Sequence, residues 1–260
     1  MNGTSSRRWV VLVAGLALSW AGDAIAQTRD VETLAAQVRE LAAKFPSFVQ
    51  YPKPEKEGEV AFLYADTKRI IHLYESDGGK LGERWKSFPL EGTVKQLFAA
   101  DLDHDGRPEI IAYTTSARIY VWNTTKFDLL WESTEEKIQT ISAMAIADVD
   151  RDPALEIVVV ADNKIVYYDG VEFFREKVGR DFVQPTQILV ADVDGDGALE
   201  IITNDGYVVD TTTLNIKWAT DGFGYPISLF DLDGDGVPEI VGESSGSLTF
   251  WSVKDRREIW

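Results

Sequence analysis

The chain has 260 residues, 45% hydrophobic and 11% aromatic, enough to bury one good core or a ring of small ones. Its formal net charge of −17 argues against nucleic acid and against anionic membrane surfaces as partners, since both reward clustered lysine and arginine. With no cysteine and only His72 and His104, disulfides, thiolate catalysis and histidine-rich metal sites are excluded.

At the start, Arg7 and Arg8 precede an apolar run from Trp9 to Trp20, and Ala24-Ile25-Ala26 supplies a small-x-small cleavage pattern. Residues 1–26 therefore read as a signal peptide that sends the chain to an extracytoplasmic space (periplasm, cell surface or medium). No other stretch approaches spanning length, so no membrane span is expected after cleavage. Residues 28–45 are predicted to form an amphipathic helix. Val31, Leu34, Val38, Leu41 and Phe45 recur at three- and four-residue spacing, and Pro46 stops the run. Pro52, Pro54 and Gly58 mark an irregular connector with a short strand around Ser47–Tyr51, so residues 27–58 precede the main body.

From residue 59 to 260 the pattern is one of short strands and turns that repeats. Acidic loops begin at Asp101, Asp148, Asp192 and Asp231, in steps of 47, 44 and 39 residues. A second landmark keeps the register: a tryptophan closes a late strand at Trp85, Trp131, Trp218 and Trp260, with Phe173-Phe174 in the corresponding place of the remaining repeat. Each unit offers four strands. In the last they are Tyr225–Phe230, Glu239–Glu243, Ser247–Val253 and Arg257–Trp260. In the third they are Ile141–Ala147, Leu155–Val160, Lys164–Tyr168 and Glu172–Glu176. The first unit keeps Val60–Tyr64, Ile70–Tyr74 and Glu83–Phe88. Four-stranded units of this length predict an all-β chain: a β-propeller of about five blades, near 47–92, 93–138, 139–184, 185–224 and 225–260. An open array or stacked solenoid is the alternative.

Each acidic loop sets carboxylates on alternate residues, where they repel unless a cation draws them together. Calcium does this, because it takes six to eight oxygen ligands on short, sharply turned loops. Positions one, three and five can each present a side-chain oxygen and position seven a carbonyl, while position nine closes the shell. Glycine at position six permits the positive φ of a sharp turn. Asp-Gly turns alone favour hairpins, but that does not account for three alternating acids and a fourth four residues later.

The pattern Asp-x-Asp-x-Asp-Gly-x-x-Glu, flanked by apolar strands and repeated at blade length from residue 93 to 260, resembles the FG-GAP and VCBS repeat families, which include the propeller of integrin α subunits. The resemblance implies a calcium ion in the hairpin between the first two strands of each competent blade, about three structural ions in all. One set is Asp101, Asp103, Asp105, the carbonyl of Arg107 and Glu109. A second is Asp192, Asp194, Asp196, the carbonyl of Ala198 and Glu200. The third is Asp231, Asp233, Asp235, the carbonyl of Val237 and Glu239. Family loops often end in aspartate, so the longer glutamate either ligates or faces the neighbouring strand. The loop of Asp148, Asp150, Asp152 and Glu156 departs from the pattern, since Pro153 holds the glycine position and its ring fixes a negative φ. A weak or empty site is expected there, with Arg151 partly neutralising the acids.

No Gly-rich phosphate loop or Ser-His-Asp set is present. The sequence thus points to a non-catalytic binding or adhesion scaffold for a protein or glycan. One alternative is a lectin or glycan-active enzyme, whose acids outside the loops would include Asp66, Asp205 and Asp221. Another is an assembly component of an envelope complex that docks through the helix at 28–45.

Overall fold

The computed structural model describes residues 47–52, 60–77, 80–152 and 154–260. The expected signal peptide, the helix at 28–45 and most of the connector lie outside the described residues. Among these the chain is all-β, with twenty strands in five four-stranded sheets and one short 3-10 turn, Ser133–Glu136. The first sheet holds β1 (Phe48–Tyr51), β2 (Ala61–Ala65), β3 (Ile71–Asp77) and β4 (Lys80–Lys86). The second holds β5 (Val94–Ala100), β6 (Glu109–Thr114), β7 (Ile119–Trp122) and β8 (Leu129–Glu132). In the third are β9 (Ile141–Ala147), β10 (Glu156–Ala161), β11 (Lys164–Tyr168) and β12 (Arg175–Val178). The fourth is built from β13 (Ile188–Ala191), β14 (Glu200–Thr203), β15 (Tyr207–Asp210) and β16 (Ile216–Ala219). The last comprises β17 (Ile227–Phe230), β18 (Glu239–Ser244), β19 (Ser247–Ser252) and β20 (Arg257–Glu258). In every sheet the strands lie side by side in chain order, as tight hairpins dictate.

Burial grades across each sheet for a compositional reason. β6, β10 and β14 are rich in isoleucine and valine and buried at every residue, as befits a strand covered on both faces. The fourth strands β8, β12 and β16 have no fully buried residue. Polar and charged side chains there suit an edge exposed to water.

The chain divides between Ile141 and Ser142 into two compact units. In the unit ending at Ile141, the first two sheets share one apolar cluster that includes Leu63, Leu73, Leu97, Ile110 and Trp122. The Tyr51 hydroxyl donates to the Pro108 carbonyl at 3.0 Å across this contact. In the unit from Ser142, Val158, Tyr167, Ile201 and Val209 join the third sheet to the fourth. Ile202, Phe223, Ile227 and Ile240 join the fourth to the fifth. The buried Tyr167 hydroxyl donates to the Thr211 carbonyl at 3.0 Å. Gln187 clasps Ile227 reciprocally, its amide donating to the Ile227 carbonyl and accepting from the Ile227 N–H, both at 2.8 Å.

The third sheet differs from expectation in one strand. The strand expected at Glu172–Glu176 lies at Arg175–Val178. Asp169 is the cause: its carboxylate accepts from the N–H groups of Val171 and Glu172, and its carbonyl from that of Phe173. Backbone donors spent on such a turn cannot enter a ladder. The tryptophan register accordingly passes to Lys177, which opposes Tyr167 as Trp218 opposes Val208 and Trp85 opposes Leu73. Its ammonium lies 5.7 Å from the centre of the Tyr167 ring. Phe174 is half exposed in the turn before the strand. Among the other aromatics, Tyr120, Trp122, Tyr167 and Tyr168 are buried, whereas Trp260 is mostly exposed.

Gly242 tests the packing of the fourth and fifth sheets. A Cβ there would sit 1.6 Å from the Phe223 carbonyl oxygen, which belongs to backbone and cannot swing aside. Gly242→Ala is expected to destabilise the chain by about 1–3 kcal/mol or more, read as a lowered urea midpoint. Wild-type stability in this variant would contradict the close approach.

Candidate functional site

The four acidic loops are the hairpin tips that join β5 to β6, β9 to β10, β13 to β14 and β17 to β18. Their aspartates fold the backbone onto themselves. At position three, Oδ1 of Asp103, Asp150, Asp194 and Asp233 accepts from the N–H two residues on, at 3.0, 3.0, 3.2 and 3.1 Å. At position five, Asp105, Asp152, Asp196 and Asp235 do the same at 2.8, 2.6, 2.8 and 2.8 Å. These are successive Asx turns, which short acidic side chains make readily. At position one, Asp101, Asp192 and Asp231 also accept from the N–H of Gly106, Gly197 and Gly236 at 2.9, 2.9 and 3.0 Å. That bond has no counterpart in the second loop, because Pro153 carries no N–H. A positive φ occurs at position four as well as at the glycines of position six. His104, Arg151, Gly195 and Gly234 all adopt it, with φ of 58°, 70°, 80° and 81°.

The glutamate at position nine has a second task in every loop. Glu109, Glu156, Glu200 and Glu239 are buried, at 5%, 0%, 0% and 7% exposure. In each, Oε2 accepts from the N–H of position two (Leu102, Val149, Val193 or Leu232) at 3.0, 2.7, 3.0 and 2.8 Å. One oxygen braces the loop and the other is left for something else.

Side chains at positions one, three and nine converge. In Asp101–Asp103–Glu109, Asp148–Asp150–Glu156, Asp192–Asp194–Glu200 and Asp231–Asp233–Glu239, each residue offers a carboxylate oxygen within 4.8 Å of the others. Asp105, Asp196 and Asp235 at position five stand outside these trios. A cation fits them on the state of two atoms: Oδ1 of Asp101 and Oε1 of Glu156 are buried and have no hydrogen-bond partner among the described residues. A buried acceptor left unpaired is costly, and a hard cation satisfies it. Burial pushes the Glu109 carboxyl up to about 7 and the Glu156 carboxyl up to about 8, with the neighbouring loop acids adding to both. Glu200 is raised as well, again chiefly by burial.

Two lysines that sequence reasoning missed enter the loops from later in their own sheets. Lys217 Nζ lies 2.6 Å from Asp194, 2.9 Å from Glu200 and 3.1 Å from Asp196. Burial works against its charge, but hydrogen bonds to Asp194, Glu200 and Asp196 outweigh that and hold it well above the ordinary lysine range. Lys254 pairs with Asp235 at 2.8 Å on a more exposed surface. Arg151 serves two loops: its N–H donates to Asp148 Oδ1 at 2.6 Å, and its guanidinium donates to the Gly197 carbonyl on the neighbouring loop at 3.0 Å. The contact with the neighbouring loop is one that no spacing rule in the sequence records.

Outside the loops, Asp205 and Asp221 line one open pocket of about 500 Å³ with Asn204, Tyr225 and Glu243. Asp205 Oδ2 accepts from the Gln184 N–H at 2.8 Å, while its Oδ1 is buried without a partner among the described residues. Tyr225 is 60% exposed at the rim. Asp66 belongs to the other unit, where it ties its own turn by accepting from the N–H groups of Lys68 and Ile70.

No protein-family model matches the chain, and no curated protein matches it. Solved structures do. A crystal structure of BBS1N in complex with ARL6DN, soaked with lead, superposes with a TM-score of 0.59 at 15% identity, over 83% of this chain and 67% of that one. The V. cholerae biofilm matrix protein Bap1 gives 0.57 at 19% identity, over 82% of this chain and 38% of its own, so the chain spans well under half of Bap1. At these identities the likeness is one of fold. Among the described residues, no helix is long and apolar enough to cross a membrane.

The buried glutamates set a pH dependence. A carboxyl whose folded pKa is raised binds its proton more tightly in the folded state, so stability is highest below the ordinary value near 4.5 and declines toward about 7 for Glu109 and about 8 for Glu156. In chelator, the melting temperature is expected to fall between pH 5 and pH 8 by at least about 2–4 °C, the shift that 1 kcal/mol makes at this size. Scanning calorimetry across that range checks it, and Glu109→Gln with Glu156→Gln should flatten the slope.

Proposed function

We propose that the chain is an exported, calcium-stabilised β-propeller whose five sheets are blades, and that it works as a non-catalytic scaffold binding a protein or glycan. The observation that carries this reading is the same carboxylate trio at four hairpin tips, with buried oxygens unpaired among the described residues in two of them. Calcium supplies there a charge that draws the trio together. It would be held by Asp101, Asp103 and Glu109, and by Asp231, Asp233 and Glu239, with Asp105, Asp235 and the carbonyls of Arg107 and Val237 completing the shells. In the loop of Asp192, Asp194, Asp196, Ala198 and Glu200, the ion must first displace the Lys217 ammonium.

The metal's role is structural. At ten times its dissociation constant each site adds about 1.4 kcal/mol by mass action, a large share of a total near 5–15 kcal/mol. Two fold relatives lend the scaffold reading support: BBS1N was solved with a bound protein, ARL6DN, and Bap1 is a matrix protein by name. The resemblance to FG-GAP and VCBS repeats supports the calcium assignment, and the apolar run behind Arg7 and Arg8 supports export.

A glycan ligand is favoured by one feature, the pocket in which Asp205, Asp221 and Glu243 face an exposed Tyr225. Carboxylates accept from sugar hydroxyls, and an exposed ring stacks on a sugar face.

Melting in chelator and in millimolar calcium tests the metal. A rise of several degrees is expected, with a smaller response to magnesium, and Asp103→Asn and Asp233→Asn should each remove part of it. Identical melting in both buffers would sink the calcium reading. Glycan-array binding tests the pocket: Tyr225→Ala should abolish any signal, and a signal that survives it places the sugar elsewhere.

A further inference from the structure

The loop that breaks the sequence pattern is the one most in need of a cation. In four sheets the pairing of the third and fourth strands shifts by one residue, leaving a bulged position on the fourth strand. The bulged residues are Arg84, Leu130, Glu176 and Lys217. In the fourth sheet that position delivers the Lys217 ammonium into its acidic loop. In the third sheet the same position carries Glu176, and it too reaches the loop of its sheet. Asp150, Asp152 and Glu176 each offer a carboxylate oxygen within 4.8 Å of the others. Where one sheet brings a positive charge, its neighbour adds another negative one.

Five carboxylates therefore crowd this tip: Asp148, Asp150, Asp152, Glu156 and Glu176. They form two trios that share Asp150. Two of the basic side chains next to these residues in sequence are engaged on the following sheet, and a third, Arg175, lies 6.0 Å from the centre of the Tyr168 ring of its own sheet. Arg151 donates to the Gly197 carbonyl, and the Lys177 ammonium donates to the Thr212 carbonyl at 2.7 Å. Independently of the crowding, Glu156 is fully buried, and its Oε1 has no hydrogen-bond partner among the described residues. A buried carboxyl oxygen among like charges, with no donor among the described residues, is satisfied either by holding a proton or by a cation from outside, and a cation answers the other four carboxylates as well.

We propose that the tip at 148–156 is a divalent-cation site in its own right, with Glu176 as a ligand supplied from outside the nine-residue pattern. An oxygen-only set of five carboxylates suits a calcium-class ion. Glu176 comes from another strand, so the site gains a carboxylate that the nine-residue pattern does not supply. This inference rests on reading the acidic tips as cation sites, and it reverses the expectation of a weak or empty second loop.

The test is calorimetric titration of calcium into the chelator-stripped chain at neutral pH, comparing wild type with Glu176→Gln, Glu176→Lys and Asp103→Asn. Glu176 is only partly buried on an edge strand, so the isosteric glutamine spares the fold, which far-UV circular dichroism verifies. Glu176→Gln is expected to weaken one site by about tenfold or more, since affinity follows ligand charge, and to leave the others as they were. Glu176→Lys, which copies the arrangement around Lys217, should remove that site and lower the stoichiometry by one. If both Glu176 variants titrate like wild type while Asp103→Asn loses a site, this proposal is overturned and the broader calcium reading survives. Absence of binding in wild type at calcium on the order of 10 mM, above the range of extracellular modules, overturns both.

Discussion

Everything distinctive here follows from forcing like charges together at the end of a hairpin. Three aspartates on alternate residues and a glutamate four further on would splay apart in open solution. The loops hold them by turning the aspartates on the backbone, so that N–H groups of the loop itself answer part of the negative charge. The glutamate is then buried where the second strand begins, with one oxygen held by the N–H of position two. Folding thus concentrates charge at the sheet's tip, and its buried end is joined to an apolar strand. Whatever neutralises the tip also secures the strand behind it.

The sheets respond to that arrangement in the way burial grades. The second strands, which start at the glutamate, are apolar on both faces and lie in the cores shared by adjacent sheets. The fourth strands are edges. From there a long polar side chain can cross back over the sheet's rim to the loop, and both Lys217 and Glu176 do so from the same bulge. Identity at one edge position therefore sets the charge balance of a tip fifteen to thirty residues earlier in the chain.

Much of this was legible in the sequence where the signal is local. Runs such as Glu156–Ala161 are too apolar and β-branched to be anything but a covered strand, and alternating acids mark the tips unaided. The displaced β12 was not legible, because a single aspartate at 169 takes the backbone donors that a strand at 172 needed. Neither were Lys217 and Glu176. A bulge advances the chain by one residue and so changes which side chain faces the loop, and nothing in the residues around either position announces it. Arg151 shows the same limit: proximity in sequence pointed to its own loop, and its guanidinium also reaches a carbonyl of the next.

The ammonium of Lys217 has one consequence beyond local charge balance. A counter-ion attached to the chain does not dilute, so its effective concentration at the Asp194 tip is fixed by the tether and is the same in every medium. That tip can close as soon as its sheet is synthesised, ahead of any encounter with dissolved ions. A polypeptide furnished this way has one corner whose charge is answered from within the chain.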